Sequence, residues 1–259
     1  MKFGLMIIGD EIVQGTRADA HFPAIKQLLA ERGLRLAWVE YVCDDRVDLV
    51  KRLQRSFAES IPVLVTGGIG ATPDDHTRQA VAEALGLPMA LNPEAVALID
   101  AAAQKRGETD LNGATHQQRR QMGNFVVGAQ LIPNRFNGIA GFSIRQHYFM
   151  PGFPVMAHPM VMWILDTYYR DWFFKDGFAQ RSCMVYDLQE SQIAPLMEAI
   201  EREYVGVQTY SLPTLGHYGE IKRYSIELGV KAEGEAAAAL DAAWTHLLEQ
   251  VQAIGGQLT

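Results

Sequence analysis

The sequence feature with the clearest chemical use is a glycine-rich stretch at residues 66–72, which reads TGGIGAT. It follows a short apolar run and precedes an amphipathic segment, so we interpret it as the turn from a strand into a helix. Glycines let the backbone approach a ligand closely, and successive N–H groups can hold an anion. The hydroxyl groups of Thr66 and Thr72 add donors. The stretch predicts a phosphate site, with a plain tight turn as the alternative; neither the P-loop pattern nor the Rossmann spacing is present.

Three acidic pairs also stand where apolar runs end. They are Asp10 and Glu11, Asp44 and Asp45, and Asp74 and Asp75. If the preceding strands are parallel, all three pairs emerge at one edge of a sheet, beside the glycine-rich stretch. So many carboxylates would repel a phosphate unless a cation intervened, and Mg²⁺ prefers carboxylate and phosphate oxygens. The pairs therefore predict a Mg²⁺ ion, or another divalent cation, at this edge.

The individual carboxylates have an alternative role as helix N-caps. Asp45 and Asp75 each lie just before a predicted helix, where a carboxylate caps backbone N–H groups. We expect one member of each pair to cap and the other to face the ligand. The candidate metal ligands are Asp10, Asp45 and Asp75, with Asp10 and Asp75 as the catalytic candidates and Asp74 as the more solvated partner.

The elements that would position these residues alternate regularly along the first half of the chain. The sequence predicts strands at residues 3–8, 36–42 and 62–66 and helices at 19–32, 47–57 and 77–85, each identified by its apolar pattern. Further helices are predicted at 93–106, 112–124 and 156–169, with short strands between 130 and 148. This alternation indicates an α/β fold with a mostly parallel sheet covered by helices on both faces.

The pattern changes after residue 170. Strands are predicted at 181–186, 207–212 and 224–230, and helices at 191–204 and 233–254, which is a β-α-β-β-α order that can close a small α+β layer. We therefore predict two domains, at residues 1–172 and 178–259. The Gly216–Gly219 pattern matches the loop with which KH domains clamp nucleic acid, but between two strands a hairpin turn is the better interpretation.

Composition narrows the function classes. The chain has 259 residues, a net charge of −7 and two cysteines, which argues against general nucleic-acid binding and against a disulfide framework. No stretch is apolar and long enough to be a signal peptide or a membrane span. We expect a cytoplasmic protein whose partner is a small phosphate-bearing ligand, with no nucleic acid and no membrane.

Several of these strings together resemble a known family. They are GDEI at 9–12, DD at 44–45, TGGIGATPDDHT at 66–77, PN at 133–134, GIAGF at 138–142 and PGFP at 151–154. Residues 1–170 are similar to the MoaB/Mog family of molybdopterin-binding domains, and within it to the N-terminal domain of the competence/damage-inducible CinA proteins. The remainder resembles the small KH-type domain that follows in CinA proteins. The ligand-binding positions that the motif and the resemblance indicate are Thr66, Gly67, Gly68, Gly70, Thr72, Thr77, Pro151 and Gly152.

The resemblance implies a three-layer α/β/α domain, a possible molybdopterin ligand and a homo-oligomer. In the CinA branch it implies hydrolysis of the pyrophosphate of ADP-ribose or FAD with a divalent metal. The alternatives are a non-catalytic molybdopterin or nucleotide binder, or a molybdenum cofactor biosynthesis factor. A weaker alternative is an interaction protein. Two departures from the CinA pattern, His21 in place of Asn and Met156 in place of Glu, weaken the catalytic interpretation.

Overall fold

The computed structural model describes residues 1–175, 177–214 and 224–259, and it divides the chain into two compact units. The first unit is Met1–Phe173 and the second is Phe174–Thr259. The division falls inside the segment 171–178, where the change of sequence pattern places the boundary.

The first unit is an α/β domain. Its strands are β1 (Lys2–Ile8), β2 (Arg35–Val42), β3 (Val63–Thr66), β4 (Met89–Leu91), β5 (Asn124–Val126), β6 (Gln130–Ile132), β7 (Gly141–Ile144) and β8 (His147–Met150). Its helices are α1 (Asp10–Val13), α2 (His21–Ala30), α3 (Arg46–Ala58), α4 (Thr77–Leu85), α5 (Pro93–Lys105), α6 (Ala114–Arg120) and α7 (Pro154–Tyr168), with 3-10 turns at Gln121–Gly123 and Arg170–Trp172.

The main sheet has the strand order β2-β1-β3-β8-β7-β6. Strands β2, β1, β3 and β8 run parallel, β7 pairs antiparallel with β8, and β6 pairs antiparallel with β7. The predicted mostly parallel sheet is therefore confirmed. A separate antiparallel pair is formed by β4 and β5.

Alternating side chains of β1 enter two different cores, which makes the domain three layers thick. Phe3, Leu5 and Ile7 pack into the core that α2 and α7 cover. Met6 and Ile8 pack into the core on the other face, with side chains of α3 and α4. A parallel strand buried on both faces reads as a continuous apolar run, as the sequence of β1 does.

Helix ends follow capping chemistry. The Asp45 carboxylate accepts a hydrogen bond from the Asp48 amide (2.7 Å) at the start of α3. Asn92 caps α5 in the same way, with Pro93 at the first helical position, and α4 ends at Gly86, whose φ is 62°. The predicted helix at 112–124 is shorter than expected, because the structure has α6 followed by a 3-10 turn.

The second unit is a small α+β domain, as predicted. It contains β9 (Ala179–Tyr186), α8 (Glu190–Glu203), β10 (Val207–Thr214), β11 (Ser225–Ala232), a 3-10 segment (Gly234–Ala239), α9 (Leu240–Ala253) and β12 (Gln257–Leu258). Its strands pair antiparallel in the order β10-β11-β9-β12. This order is the split β-α-β, or ferredoxin-like, arrangement, which refines the KH-type expectation. The Gly216–Gly219 pattern lies outside the described residues.

Among the helices that the structure describes, none combines the length and the apolar character that crossing a membrane requires.

Candidate functional site

The carboxyl ends of β1, β3 and β8 lie side by side in the sheet, and the loops that follow them enclose a pocket of about 450 Å³. Ligands of open α/β sheets bind at this edge. The pocket is lined by Ile8, Gly9, Glu11, Arg17, Asp44, Gly67, Gly68, Ile69, Gly70, Ala71, Thr72, Asp74, Asp75, Pro151, Gly152 and Phe153. A larger cavity of about 710 Å³ lies in the second unit, but the predicted site residues do not line it. We therefore take the sheet-edge pocket as the candidate site.

The glycine loop, residues 67–72, begins with two residues in a left-handed conformation. Gly67 has a φ of 102° and Gly68 has a φ of 65°. A Cβ at position 67 would lie 2.1 Å from the Ile8 carbonyl oxygen, and one at position 68 would lie 2.2 Å from the Thr77 hydroxyl oxygen. Position 67 in particular admits only glycine, because the obstacle there is backbone.

Thr77, the first residue of α4, holds two carbonyl groups of this loop. Its hydroxyl donates to the Gly67 oxygen (3.1 Å), and its amide donates to the Gly68 oxygen (3.0 Å). In a trans peptide the C=O and the following N–H point in opposite directions. Drawing these carbonyls toward α4 therefore turns the N–H groups of Gly68 and Ile69 to the opposite side. Thr77 is fully buried, so its role is to shape the loop.

The Gly68, Ile69 and Ala71 amides remain available for a ligand. All three residues line the pocket, and within the described parts of the chain their N–H groups donate to no protein acceptor. The N-terminus of α4 adds its positive dipole end behind the loop. Successive free N–H groups beside a helix N-terminus form an anion-binding nest. The arrangement can hold a phosphate group.

Asp75 closes the far end of the loop. One of its carboxylate oxygens accepts the Gly70 amide (2.8 Å), and the other accepts the amide (2.8 Å) and the hydroxyl (2.6 Å) of Thr72. These bonds occupy the Gly70 and Thr72 donors, which the sequence motif predicts as ligands of a phosphate. The structure gives Asp75 a loop-building role, whereas the predicted partner, Asp74, is exposed at the pocket.

Thr66 is placed differently from its prediction. The residue is fully buried at the end of β3 and does not line the pocket, and in the described part of the chain its hydroxyl has no hydrogen-bond partner. The sequence could not separate it from Thr72, because both flank the glycines and only the strand register decides which one is buried.

The acidic pairs after β1 and β2 are joined to one another. The Asp10 amide donates to the Asp44 carboxylate and the Asp44 amide donates to the Asp10 carboxylate, both at 3.0 Å. Glu11 and Asp44 line the pocket, whereas Asp10 and Asp45 do not. The Asp45 carboxylate caps α3, and its neighbour Asp44 is the member of this pair that lines the pocket, so the geometry does not support the prediction of Asp45 as a metal ligand. The sequence signal was present, since a cap was expected in each pair.

Asp44 is the carboxyl group at this edge whose pKa is raised. Partial burial raises the pKa of its carboxyl group, and the negative charges of Asp10, Glu11 and Asp74 raise it further. A bound cation would relieve this repulsion. However, no group of three or more His, Cys, Asp or Glu side chains is arranged to hold a metal in the ranges that the structure describes. These residues fit a divalent cation only if the ligand supplies further oxygens.

The segment after β8 forms the third wall. Pro151, Gly152 and Phe153 line the pocket, and the Gly152 carbonyl oxygen lies 3.0 Å from the His21 Nε2. His21 is buried and supports this wall, and its Nδ1 has no hydrogen-bond partner within the described ranges. Met156 does not line the pocket; the Asn137 side-chain amide donates to its sulfur at 3.7 Å.

Several pocket residues were absent from the sequence-based site. They are Arg17, Ile69, Ala71 and Phe153, whereas Glu11 and Asp44 were predicted at this edge as members of the acidic pairs. Ile69 and Ala71 contribute backbone groups, which residue type does not reveal. Arg17 lies on the loop after α1, a helix that the sequence pattern was too short to predict.

The fold is an α/β domain with a glycine loop and a pocket at the carboxyl edge of its sheet. The sequence model of the family described as "Probable molybdopterin binding domain" matches residues 4–170. The chain therefore belongs to the molybdopterin-binding domain family, as the sequence motifs indicated.

Individual relatives agree with this assignment. A "CinA-like protein" of Geobacter sp. (strain M21) is 31% identical over 212 residues, which cover 80% of this chain and 50% of the relative. A "Putative competence-damage inducible protein" of Streptococcus pneumoniae serotype 2 (strain D39 / NCTC 7466) is 26% identical over 255 residues, which cover 96% of this chain and 58% of the relative. The chain spans about half the length of the curated relatives it matches.

A solved structure supports the fold. The crystal structure of the protein CinA, of unknown function, from Thermoplasma acidophilum aligns with a TM-score of 0.55 at 22% identity. The alignment covers 64% of this chain and 96% of that chain. The resemblance to CinA proteins made from the motifs is thus confirmed.

Proposed function

We propose that the first unit binds a phosphate-bearing pterin or nucleotide, with its phosphate on the Gly68, Ile69 and Ala71 amides. The observation that carries this proposal is the pair of hydrogen bonds from Thr77 to the Gly67 and Gly68 carbonyl groups. Because these carbonyls point toward α4, the N–H groups of Gly68 and Ile69 point away from α4. The adjoining wall at Pro151–Phe153 gives the remainder of the ligand an apolar surface. Membership of the molybdopterin-binding domain family favours a pterin as the attached group.

The test is ligand binding by Thr77→Val, which keeps the size of the side chain but removes the hydroxyl that holds the Gly67 carbonyl. The matched control is Thr245→Val in the second unit, where the hydroxyl donates to the Asp241 carbonyl at 2.9 Å. Equilibrium dialysis with ADP-ribose, FAD and molybdopterin measures the affinity. We expect Thr77→Val to weaken the bound ligand by about tenfold or more, the value of one well-placed hydrogen bond, and the control to bind normally. Equal affinity in both variants would contradict the site.

The second candidate function is a divalent-metal-dependent pyrophosphatase that acts on ADP-ribose or FAD. The feature that favours it is the placement of the Asp44 and Glu11 carboxyl groups in the pocket wall, where burial, and then the neighbouring negative charges, raise the pKa of Asp44. Asp44 and Glu11 would hold a Mg²⁺ ion together with ligand phosphate oxygens, and the ion would supply Lewis-acid activation of the phosphoryl group. In this arrangement Asp75 acts through the loop geometry.

AMP release separates the two candidates. Purified protein is incubated with Mg²⁺ or Mn²⁺ and either ADP-ribose or FAD. A pyrophosphatase releases AMP, Asp44→Asn loses that release while retaining ligand binding, and Asp75→Asn loses both because the loop is disturbed. Ligand binding without AMP from either substrate would establish a binding protein instead.

A further inference from the structure

Arg78 is a buried cation directly behind the glycine loop. It is the second residue of α4 and only 4% exposed. Its guanidinium donates to the Ile69 carbonyl oxygen, while its Nε is buried and has no hydrogen-bond partner among the residues that the structure describes. Arginine is almost never buried unless it is paired, so this placement requires an explanation.

The charge of Arg78 is not neutralised by an adjacent carboxylate. Among the described residues it forms no ion pair, and the favourable charge that acts on it is that of Asp75. The Asp75 carboxylate is itself committed to Gly70 and Thr72. Burial accordingly lowers the pKa of the Arg78 guanidinium. A buried charge without a full counter-charge favours the approach of an opposite charge.

The position of Arg78 relative to the free amides shows where that opposite charge would lie. The Ile69 carbonyl points to Arg78, whereas the Ile69 N–H is one of the groups left for a ligand. The guanidinium and a phosphate bound to the Ile69 amide would thus both be neighbours of Ile69. In a partly buried site the effective dielectric constant is lower than in water, so neighbouring charges interact more strongly than they do in solution.

We infer that Arg78 makes the glycine loop selective for a dianionic phosphate monoester or pyrophosphate over a singly charged phosphodiester. Arg78 is a positioning residue, because it reaches the ligand through Ile69 and through its field. The inference rests on the proposed phosphate site and specifies the charge of the ligand that the site selects. Arg17, which lines the pocket, is an exposed cation, so its effect is screened by salt to a greater extent.

The experiment compares two probes with the same oxygen geometry and different charge. Inorganic phosphate at pH 8 is mostly a dianion, and dimethyl phosphate is a monoanion. Affinities are read from the amide NMR shifts of Gly68 and Ile69 in the wild type, Arg78→Gln, Arg78→Lys and the control Arg202→Gln, which removes one charge from the second unit. Gln retains a donor for the Ile69 carbonyl but no charge, whereas Lys retains the charge.

We expect Arg78→Gln to weaken inorganic phosphate by about tenfold and dimethyl phosphate by about threefold or less, as the loss of one partly buried charge requires. Arg78→Lys and Arg202→Gln should keep the wild-type ratio of the affinity for inorganic phosphate to that for dimethyl phosphate. In the wild type, the preference for inorganic phosphate should persist at about 0.5 M salt. Equal losses for both probes would assign Arg78 a purely structural role. If Arg78→Gln does not fold, loss of the ratio in Arg78→Lys overturns the inference. Wild-type amides that shift with neither probe contradict the phosphate site itself, and the inference with it.

Discussion

The glycine loop and the acidic edge lie in one pocket but are organised in opposite ways. In the loop, Thr77, Asp75 and Arg78 hold polar groups from the helix side, and the outward amides are left for a ligand. At the acidic edge, the Asp10 and Asp44 carboxylates each accept the other residue's backbone amide. The groups that this edge presents to the pocket are therefore negatively charged carboxylates.

The difference shows that groups of similar sequence appearance perform unlike tasks. Asp45 and Asp75 both precede a helix, and both carboxylates accept hydrogen bonds from backbone amides, so their role is structural. Asp44 faces the pocket with a raised pKa and is the carboxylate suited to meet a cation. The pocket thus has N–H donors on one side and carboxylate oxygens on the other.

The largest expected effect breaks the loop side of this comparison. In Gly67→Ala the new Cβ would meet the Ile8 carbonyl oxygen at 2.1 Å, and φ is 102°. We expect a loss of about 3 kcal/mol or more in the free energy of unfolding, from steric overlap added to backbone strain. Urea unfolding measures it. The control is Gly107→Ala, at φ 82° with no atom within 4 Å of the Cβ, which isolates the strain. Equal losses in the two variants would show that the Ile8 contact is unimportant.

The second prediction concerns the clamp at the end of the loop. Asp75→Asn replaces one accepting oxygen by an NH₂ group, which leaves backbone donors of Gly70 or Thr72 without an acceptor. We expect a loss of about 1–3 kcal/mol in stability together with loss of phosphate binding. Asp110→Asn is the control for the change of charge, because the Asn112 (3.0 Å) and Gly113 (2.9 Å) amides donate to one and the same Asp110 oxygen, which asparagine retains. The control should therefore keep its stability and its phosphate binding; unaltered phosphate binding in Asp75→Asn would contradict the clamp.

The fold was largely predictable from the sequence because its signals are local. The apolar run of β1 and the stop at Gly86 mark their elements without tertiary information. Other elements are too short for their hydrophobic period to be recognised in the sequence, namely strands β6 and β7 and helix α1. The strand order of the second unit is decided by long-range pairing, which no local pattern expresses.

The site was predictable as a place but less well as a set of side chains. Parallel strands bring the glycine loop and the acidic pairs to one edge, and this follows from topology. Whether Asp44 or Asp45 faces the pocket depends on which residue the first turn of α3 uses as its cap. Arg78 escaped notice because an arginine in an amphipathic helix is ordinarily solvated, and only its burial distinguishes it.

The third prediction separates the two members of the Asp44–Asp45 pair. Asp45→Ala removes the N-cap of α3 and should cost about 1 kcal/mol of stability, the typical value of a cap. Phosphate binding should be unchanged because Asp45 does not line the pocket. Thermal unfolding and NMR titration with inorganic phosphate measure both. Asp45→Asn, which preserves the cap, should retain the stability. Weaker phosphate binding in Asp45→Ala would return Asp45 to the site.

The smallest expected effect tests the acidic side, in Asp44→Asn. Because the pKa of Asp44 is raised in the folded protein, the folded state binds this proton more tightly than the unfolded chain does. The charge therefore costs no stability below the ordinary aspartate pKa of about 4, and its cost grows as the pH rises through the raised value. Asparagine can still accept the Asp10 amide, so the variant should match the wild type near pH 3 and gain about 0.5 kcal/mol or less at pH 7. Added Mg²⁺ should narrow that gap by favouring the wild type, if the cation binds here. A loss of stability at pH 7 in Asp44→Asn would mean that the Asp44 charge already has a compensating partner at this edge.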